Sequence, residues 1–127
     1  MIAIDSSSLI AFLGGDSGSD VQAVDESLAR GDAVLPPVVL TELLSDPKLE
    51  SRVARWIAAI PRLSIDDGYW DRAAALRAKV VAKKRRARLA DTLIAQSCID
   101  HRVALVTRDA DFRNFAGVSA LVLAAGG

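Results

Sequence analysis

The chain has one cysteine, one histidine and no excess of charge of either sign. A lone cysteine, Cys98, excludes an internal disulfide, a CxxC redox pair and a four-cysteine zinc site. It fits a reducing cytoplasm. The only histidine, His101, closes a predicted helix far in sequence from any candidate nucleophile, so no Ser–His–Asp arrangement presents itself. No basic residue precedes Arg30, so the charged start of a secretory signal is missing. No apolar run approaches the roughly 18–20 residues that a membrane span needs. Sixteen Lys and Arg balance sixteen Asp and Glu, whereas a generic nucleic-acid-binding domain carries a basic excess. The first predicted strand is not followed by a glycine-rich phosphate loop, which excludes a nucleotide-binding Rossmann reading.

What is there suits an ordinary globular fold. In 127 residues, 51% are hydrophobic and 25% charged, enough apolar content for one core and too much for a disordered chain. A single domain over residues 1–127 is expected. The balanced charge is unevenly spread. Residues 1–29 carry five acids and no base, whereas residues 77–88 carry seven bases and no acid. The basic run reads either as a solvated face or as a patch for a polyanion, with Lys83, Lys84, Arg85 and Arg86 as candidate RNA contacts.

Short apolar runs alternate with helical patterns along the chain. Strands are expected at Met1–Ile4, Ala33–Leu35, Leu63–Ile65, Val103–Val106 and Ala120–Leu123. Helices are expected over Leu9–Leu13, Val21–Ala29, Val38–Leu44, Lys48–Ala59, Tyr69–Ala82 and Leu89–His101, with a helical turn at Asp109–Asn114. The stretch from Gly14 to Asp20 has loop composition. The strands are apolar throughout rather than alternating, as in strands covered on both faces. The expected fold is α/β: a central parallel sheet of about five short strands flanked by helices in three layers.

In such a sheet ligands gather beyond the carboxyl ends of the strands. Asp5 ends the first strand, Asp109 and Asp111 follow the fourth, Glu42 lies in the helix after the second, and Asp91 opens the helix leading to the fourth. Each has a plainer explanation: Asp5 as a helix cap, Asp109 and Asp111 as turn residues, Glu42 as a solvated face. Asp91 is the stronger signal, because it shares a helix face with Ile94, Ala95 and Cys98, where an unpaired carboxylate is costly. Gln96 and Asp100 are expected on the opposite, solvated side of that helix. Several carboxylates at one edge need protons or a cation, and oxygen-only donors suit a hard ion such as Mg²⁺, with Mn²⁺ as a substitute. Cys98 reads as a small buried hydrophobe, His101 as a partner of its helix C-terminus, and Trp56 and Trp70 as core or interface residues. A haloacid-dehalogenase-type phosphatase would want a second Asp two residues after Asp5, where Ser7 stands.

Four segments in series resemble a PIN domain: Met1-Ile2-Ala3-Ile4-Asp5-Ser6-Ser7, Val39-Leu40-Thr41-Glu42-Leu43-Leu44, Ala90-Asp91-Thr92-Leu93-Ile94-Ala95 and Val106-Thr107-Arg108-Asp109-Ala110-Asp111-Phe112. Their order and spacing are similar to those of bacterial ribonuclease toxins of the VapC type, over essentially the whole chain. The resemblance implies a Mg²⁺-dependent endoribonuclease, the toxin of a type II toxin–antitoxin system, neutralised by a cognate antitoxin. It implies a homodimer as well. Asp5, Glu42, Asp91 and Asp109 would form the acidic quartet, with Asp111 as the alternative fourth acid. Ser6 and Thr107 would support the carboxylates. A PIN-like binding module without catalysis, acting through a protein partner, is the alternative.

Overall fold

The structure, a computed structural model, describes residues 1–124. Its elements run β1 (Ile2–Ile4), α1 (Ser6–Leu13), α2 (Ser19–Arg30), β2 (Ala33–Val34), α3 (Pro37–Leu44), α4 (Ser51–Ala58), α5 (Tyr69–Ala82), α6 (Leu89–His101), β3 (Ala104–Val106) and α7 (Phe112–Ala116). The sheet is parallel, in the order β2-β1-β3. Ile2 pairs with Ala33 on one side and Ala104 on the other, and Ala3 with Val34 and Leu105. All three strands therefore end at the same edge. Ala3, Ile4, Leu105 and Val106 are fully buried, as strands flanked by helices require.

Among the described residues the sheet has three strands, not about five. At each expected extra strand only an isolated bridge forms, Leu35 with Arg62 and Leu105 with Leu123. On the first of these edges proline is the reason. Leu35 donates to the Pro61 carbonyl (2.8 Å) and accepts from the Leu63 N–H (3.0 Å), but the next residue facing that side, Pro37, has no N–H to continue the ladder and already begins α3. Pro36 caps α3, with Pro37 at its first helical position.

Turn chemistry also moves the helix ends. α4 starts at Ser51 rather than Lys48, because Asp46 accepts the Lys48 N–H on its side chain (2.9 Å) and the Leu49 N–H on its carbonyl (3.2 Å). α2 begins at Ser19, inside the segment with loop composition, and ends at Gly31, which adopts the left-handed conformation (φ 71°). The core joins Ile4, Leu9, Val24, Val39, Ile57, Val80, Ile94, Leu105, Phe112 and Phe115. Two tryptophans expected in core or interface lie at the surface: Trp56 is 40% exposed and stacks on Phe12, and Trp70 is 61% exposed against the edge of Tyr69. The core reading of both is therefore wrong. Among the described residues no helix is long and apolar enough to cross a membrane.

Candidate metal centre

β1 and β3 are neighbours, so Asp5 and the Thr107–Asp111 segment leave the sheet side by side. Asp5 stands at the N-cap position of α1, yet its side chain makes no capping hydrogen bond. Its buried Oδ2 accepts from Ser7 Oγ (2.6 Å) and Thr107 Oγ1 (2.8 Å). Capping does not account for it. Thr107 Oγ1 in turn accepts the Asp109 N–H (3.0 Å), and Asp109 Oδ1 accepts the Asp111 N–H (2.9 Å). This chain of hydrogen bonds fixes the segment carrying both acids relative to Asp5.

Asp91 lies in the first turn of α6, where the exposed N–H groups favour negative charge. The cap position belongs to Arg88, and no side-chain cap bond forms there. The Asp91 Oδ2 atom is buried with no hydrogen-bond partner among the described residues. Burial first, then the charges of Asp109 and Asp5, push its carboxyl up to about 6, with Arg88 opposing and Glu42 adding a little. Glu42 projects from α3 and accepts from Ser6 Oγ (3.2 Å). Burial, and secondarily the Asp5 charge, raise its carboxyl above the ordinary range, while the Ser6 bond lowers it.

The four acids singled out in the sequence thus converge, and Asp111 joins them. Asp91, Asp109 and Asp111 each present a carboxylate oxygen, all within 4.8 Å of one another. The sequence offers Asp109 and Asp111 as alternatives, whereas the fold brings both to Asp91. At that spacing each ionised pair repels by about 3 kcal/mol at an effective dielectric of 20. A buried, unpartnered carboxylate oxygen within an all-oxygen cluster suits a hard divalent cation, so the residues present fit Mg²⁺ or Mn²⁺. The basic run borders this cluster. Arg86 lies 3.7 Å from Asp111, and its carbonyl accepts from Asn114 (3.1 Å). Lys83, Lys84 and Arg85 are exposed on the same α5–α6 connection.

Cys98 is buried, and burial pushes its thiol up to about 12, so it is an inert apolar residue. The His101 ring meets the Ser64 carbonyl through Nε2 (2.8 Å) at the end of α6. Gln96 and Asp100, expected on a solvated side from the helical face alone, are instead largely covered. α5 covers that side, Gln96 is 4% exposed, and Asp100 accepts from Gln96 (2.8 Å) and both ends of the Arg72 guanidinium fork. Sequence reasoning misses Asp20 and Arg108. Arg108 donates to buried Asp20 from Nε (2.8 Å) and Nη2 (3.0 Å), against the back of the Thr107–Asp111 segment. An Asp in a loop-like stretch and an Arg after a strand give no sequence signal of pairing across 88 positions.

No curated protein sequence matches the chain. Its backbone is similar to several solved structures. VapBC-5, a member of the VapBC family of toxin–antitoxin systems from Mycobacterium tuberculosis, superposes with TM-score 0.67 at 21% identity, covering 98% of this chain and 97% of that one. VapBC2 from Rickettsia felis, bound to a DNA fragment from its promoter, gives 0.73 at 20%, covering 98% of each chain. FitAcB from Neisseria gonorrhoeae gives 0.70 at 19%, covering 97% and 96%. Acids at the carboxyl edge of a short parallel sheet agree with the sequence match: residues 2–118 fit the PIN domain family model, and the chain belongs to the PIN domain family.

Proposed function

We propose that the chain is the toxin of a type II toxin–antitoxin pair, a cytoplasmic divalent-metal-dependent endoribonuclease. The observation that carries this reading is the buried, unpartnered Asp91 Oδ2 beside Asp109 and Asp111. Asp5, Glu42, Asp91 and Asp109 are the acids assigned to metal and catalysis, and Asp111 supplements Asp109. When bound, Mg²⁺ or Mn²⁺ supplies Lewis-acid activation of a water nucleophile and charge compensation at the scissile phosphate. The chain's own residues prepare for that. Ser7 and Thr107 hold the Asp5 carboxylate in one orientation, and Ser6 does the same for Glu42. Lys83, Lys84, Arg85 and Arg86 draw the RNA backbone toward an acidic site that would otherwise repel it.

Partner surfaces support the same reading. Ile10, Leu13, Leu44 and Trp56 are exposed on α1, α3 and α4, an apolar face suited to an amphipathic antitoxin segment. A separate groove of about 520 Å³ between α5 and α6, lined by Trp70, Ala74, Ala78, Val81 and Leu89, suits the second copy of a homodimer. Co-expression with the small open reading frame adjacent to this gene tests the pairing. A stable complex with suppressed ribonuclease activity is expected, and full activity from that complex would contradict inhibition by occlusion. RNA incubated with the purified chain should be cut only when Mg²⁺ or Mn²⁺ is present, and Asp5→Asn should abolish cutting with the fold intact. An active Asp5→Asn protein, free of wild-type contamination, would remove Asp5 from the site. A chain that binds its antitoxin but never cuts RNA would be a binding module instead.

A further inference from the structure

We propose that Arg108 and Asp20 form a positioning clamp that fixes the Thr107–Asp111 segment and thereby sets how tightly the acidic cluster takes a divalent cation. The proposal rests on the metal-centre reading above. Thr107 and Asp109 both face the cluster, Thr107 through its bond to Asp5 and Asp109 through its approach to Asp91 and Asp111. The residue between them runs the other way. The Arg108 guanidinium grips both oxygens of Asp20 as a fork (2.8 and 3.0 Å) and reaches the Ser17 carbonyl (3.2 Å) and Asp16 (3.5 Å). With its guanidinium held there and its backbone N–H on Ser7 Oγ (3.3 Å), Arg108 anchors the strand end between Thr107 and Asp109.

Two further observations show that this corner is built for the pair. Gly18 adopts a φ of 143°, and a Cβ there would lie 2.7 Å from Asp20 Oδ1 and 3.3 Å from Arg108 Nη2. Only glycine lets the two side chains close on the start of α2. The first turn of α1 also ties the clamp to the site. Ser6, Ser7 and Ser8 donate in turn to Glu42 (3.2 Å), Asp5 (2.6 Å) and Asp20 (2.9 Å), three carboxylates held from one helical turn. Asp20 is buried but Arg108 reaches it from the surface, and an ion pair with one exposed partner is a modest source of net stability. Its rigidity is what the neighbouring acids use.

The test is Mn²⁺ affinity of the whole chain, measured by calorimetry, with amide exchange at Asp109 and Asp111 as a metal-free readout. Asp20→Asn and Arg108→Gln should weaken Mn²⁺ binding about tenfold or more and speed exchange at both amides. Arg108→Lys, which keeps the charge but loses the fork, should fall between them and wild type. Asp100→Asn is the comparison, since it breaks an equally short pair with Arg72 away from the cluster (2.6 Å). It should lower stability and leave Mn²⁺ affinity unchanged. Wild-type affinity in folded Asp20→Asn and Arg108→Gln proteins would overturn the clamp alone, as would an equal loss in Asp100→Asn. If those two fail to fold, as circular dichroism would reveal, wild-type affinity and exchange in Arg108→Lys would overturn it. A wild-type chain that took up no Mn²⁺ would overturn the metal centre, and the clamp's role with it.

Discussion

At the scale of single residues, Asp91 carries the most information about the site. Its carboxyl is raised from the ordinary 3.8 to about 6, chiefly by burial and then by its acidic neighbours. A raised carboxyl binds its proton more tightly in the folded state than in the unfolded one. Its favourable contribution is complete below about pH 4 and disappears as pH rises through 6. The metal-free protein should therefore lose on the order of 2 kcal/mol of stability between pH 4 and 7 from this group. Asp91→Asn should remove that slope and be the more stable protein at pH 7 in the presence of a chelator, as urea melts across the range would show. An identical slope in the variant would mean that Asp91 is not the strained acid. Tyr69 offers a purely structural contrast. Its hydroxyl donates to the Leu93 carbonyl (2.6 Å) and joins α5 to α6, so Tyr69→Phe should cost about 1 kcal/mol without touching the cluster.

Among the elements, legibility in the sequence follows how local the determining physics is. β1 and Asp5, the α6 start and the Thr107–Asp111 segment are readable, because an apolar run ending in an acid is a local pattern. The two outer strands are not. Leu63–Ile65 and Ala120–Leu123 have strand composition, but pairing is decided by what the neighbouring strand can donate, and Pro37 ends one of those ladders. The solvated side expected for α6 fails for a similar reason, since α5 packs there and Arg72 pairs with Asp100. The serine run reads as a helix start, and it is one. Its division of labour among Glu42, Asp5 and Asp20 depends on where three separate elements end up. Asp20 gives a testable acid limb. The Arg108 hydrogen bonds hold its carboxyl down at about 2, so its contribution is present above pH 3.8 and lost as pH falls toward 2. Asp20→Asn should be less stable than wild type at pH 5 by about 1–3 kcal/mol, and the difference should shrink at pH 2. A gap that persisted at pH 2 would place the cost in packing rather than charge.

At the scale of the whole molecule, balanced charge conceals a division of labour between an acidic sheet edge and the basic α5–α6 connection beside it. If that connection guides RNA, neutralising Lys83, Lys84, Arg85 and Arg86 together should flatten the salt dependence of RNA binding. The slope should fall by roughly one unit for each phosphate that the variant no longer neutralises. Turnover at saturating RNA should change little, because these side chains act on the encounter. An unchanged slope would mark the run as a solvated face that borders the site without serving it. Whether the Asp91 cluster is a metal-dependent nuclease centre is decided by single-turnover cleavage of a labelled RNA by wild-type and Asp91→Asn protein. Wild-type cleavage should require Mn²⁺ or Mg²⁺ and stop with chelator, while folded Asp91→Asn should be at least about 100-fold slower. Cleavage that survives the chelator, or an Asp91→Asn protein cutting at the wild-type rate, would contradict it.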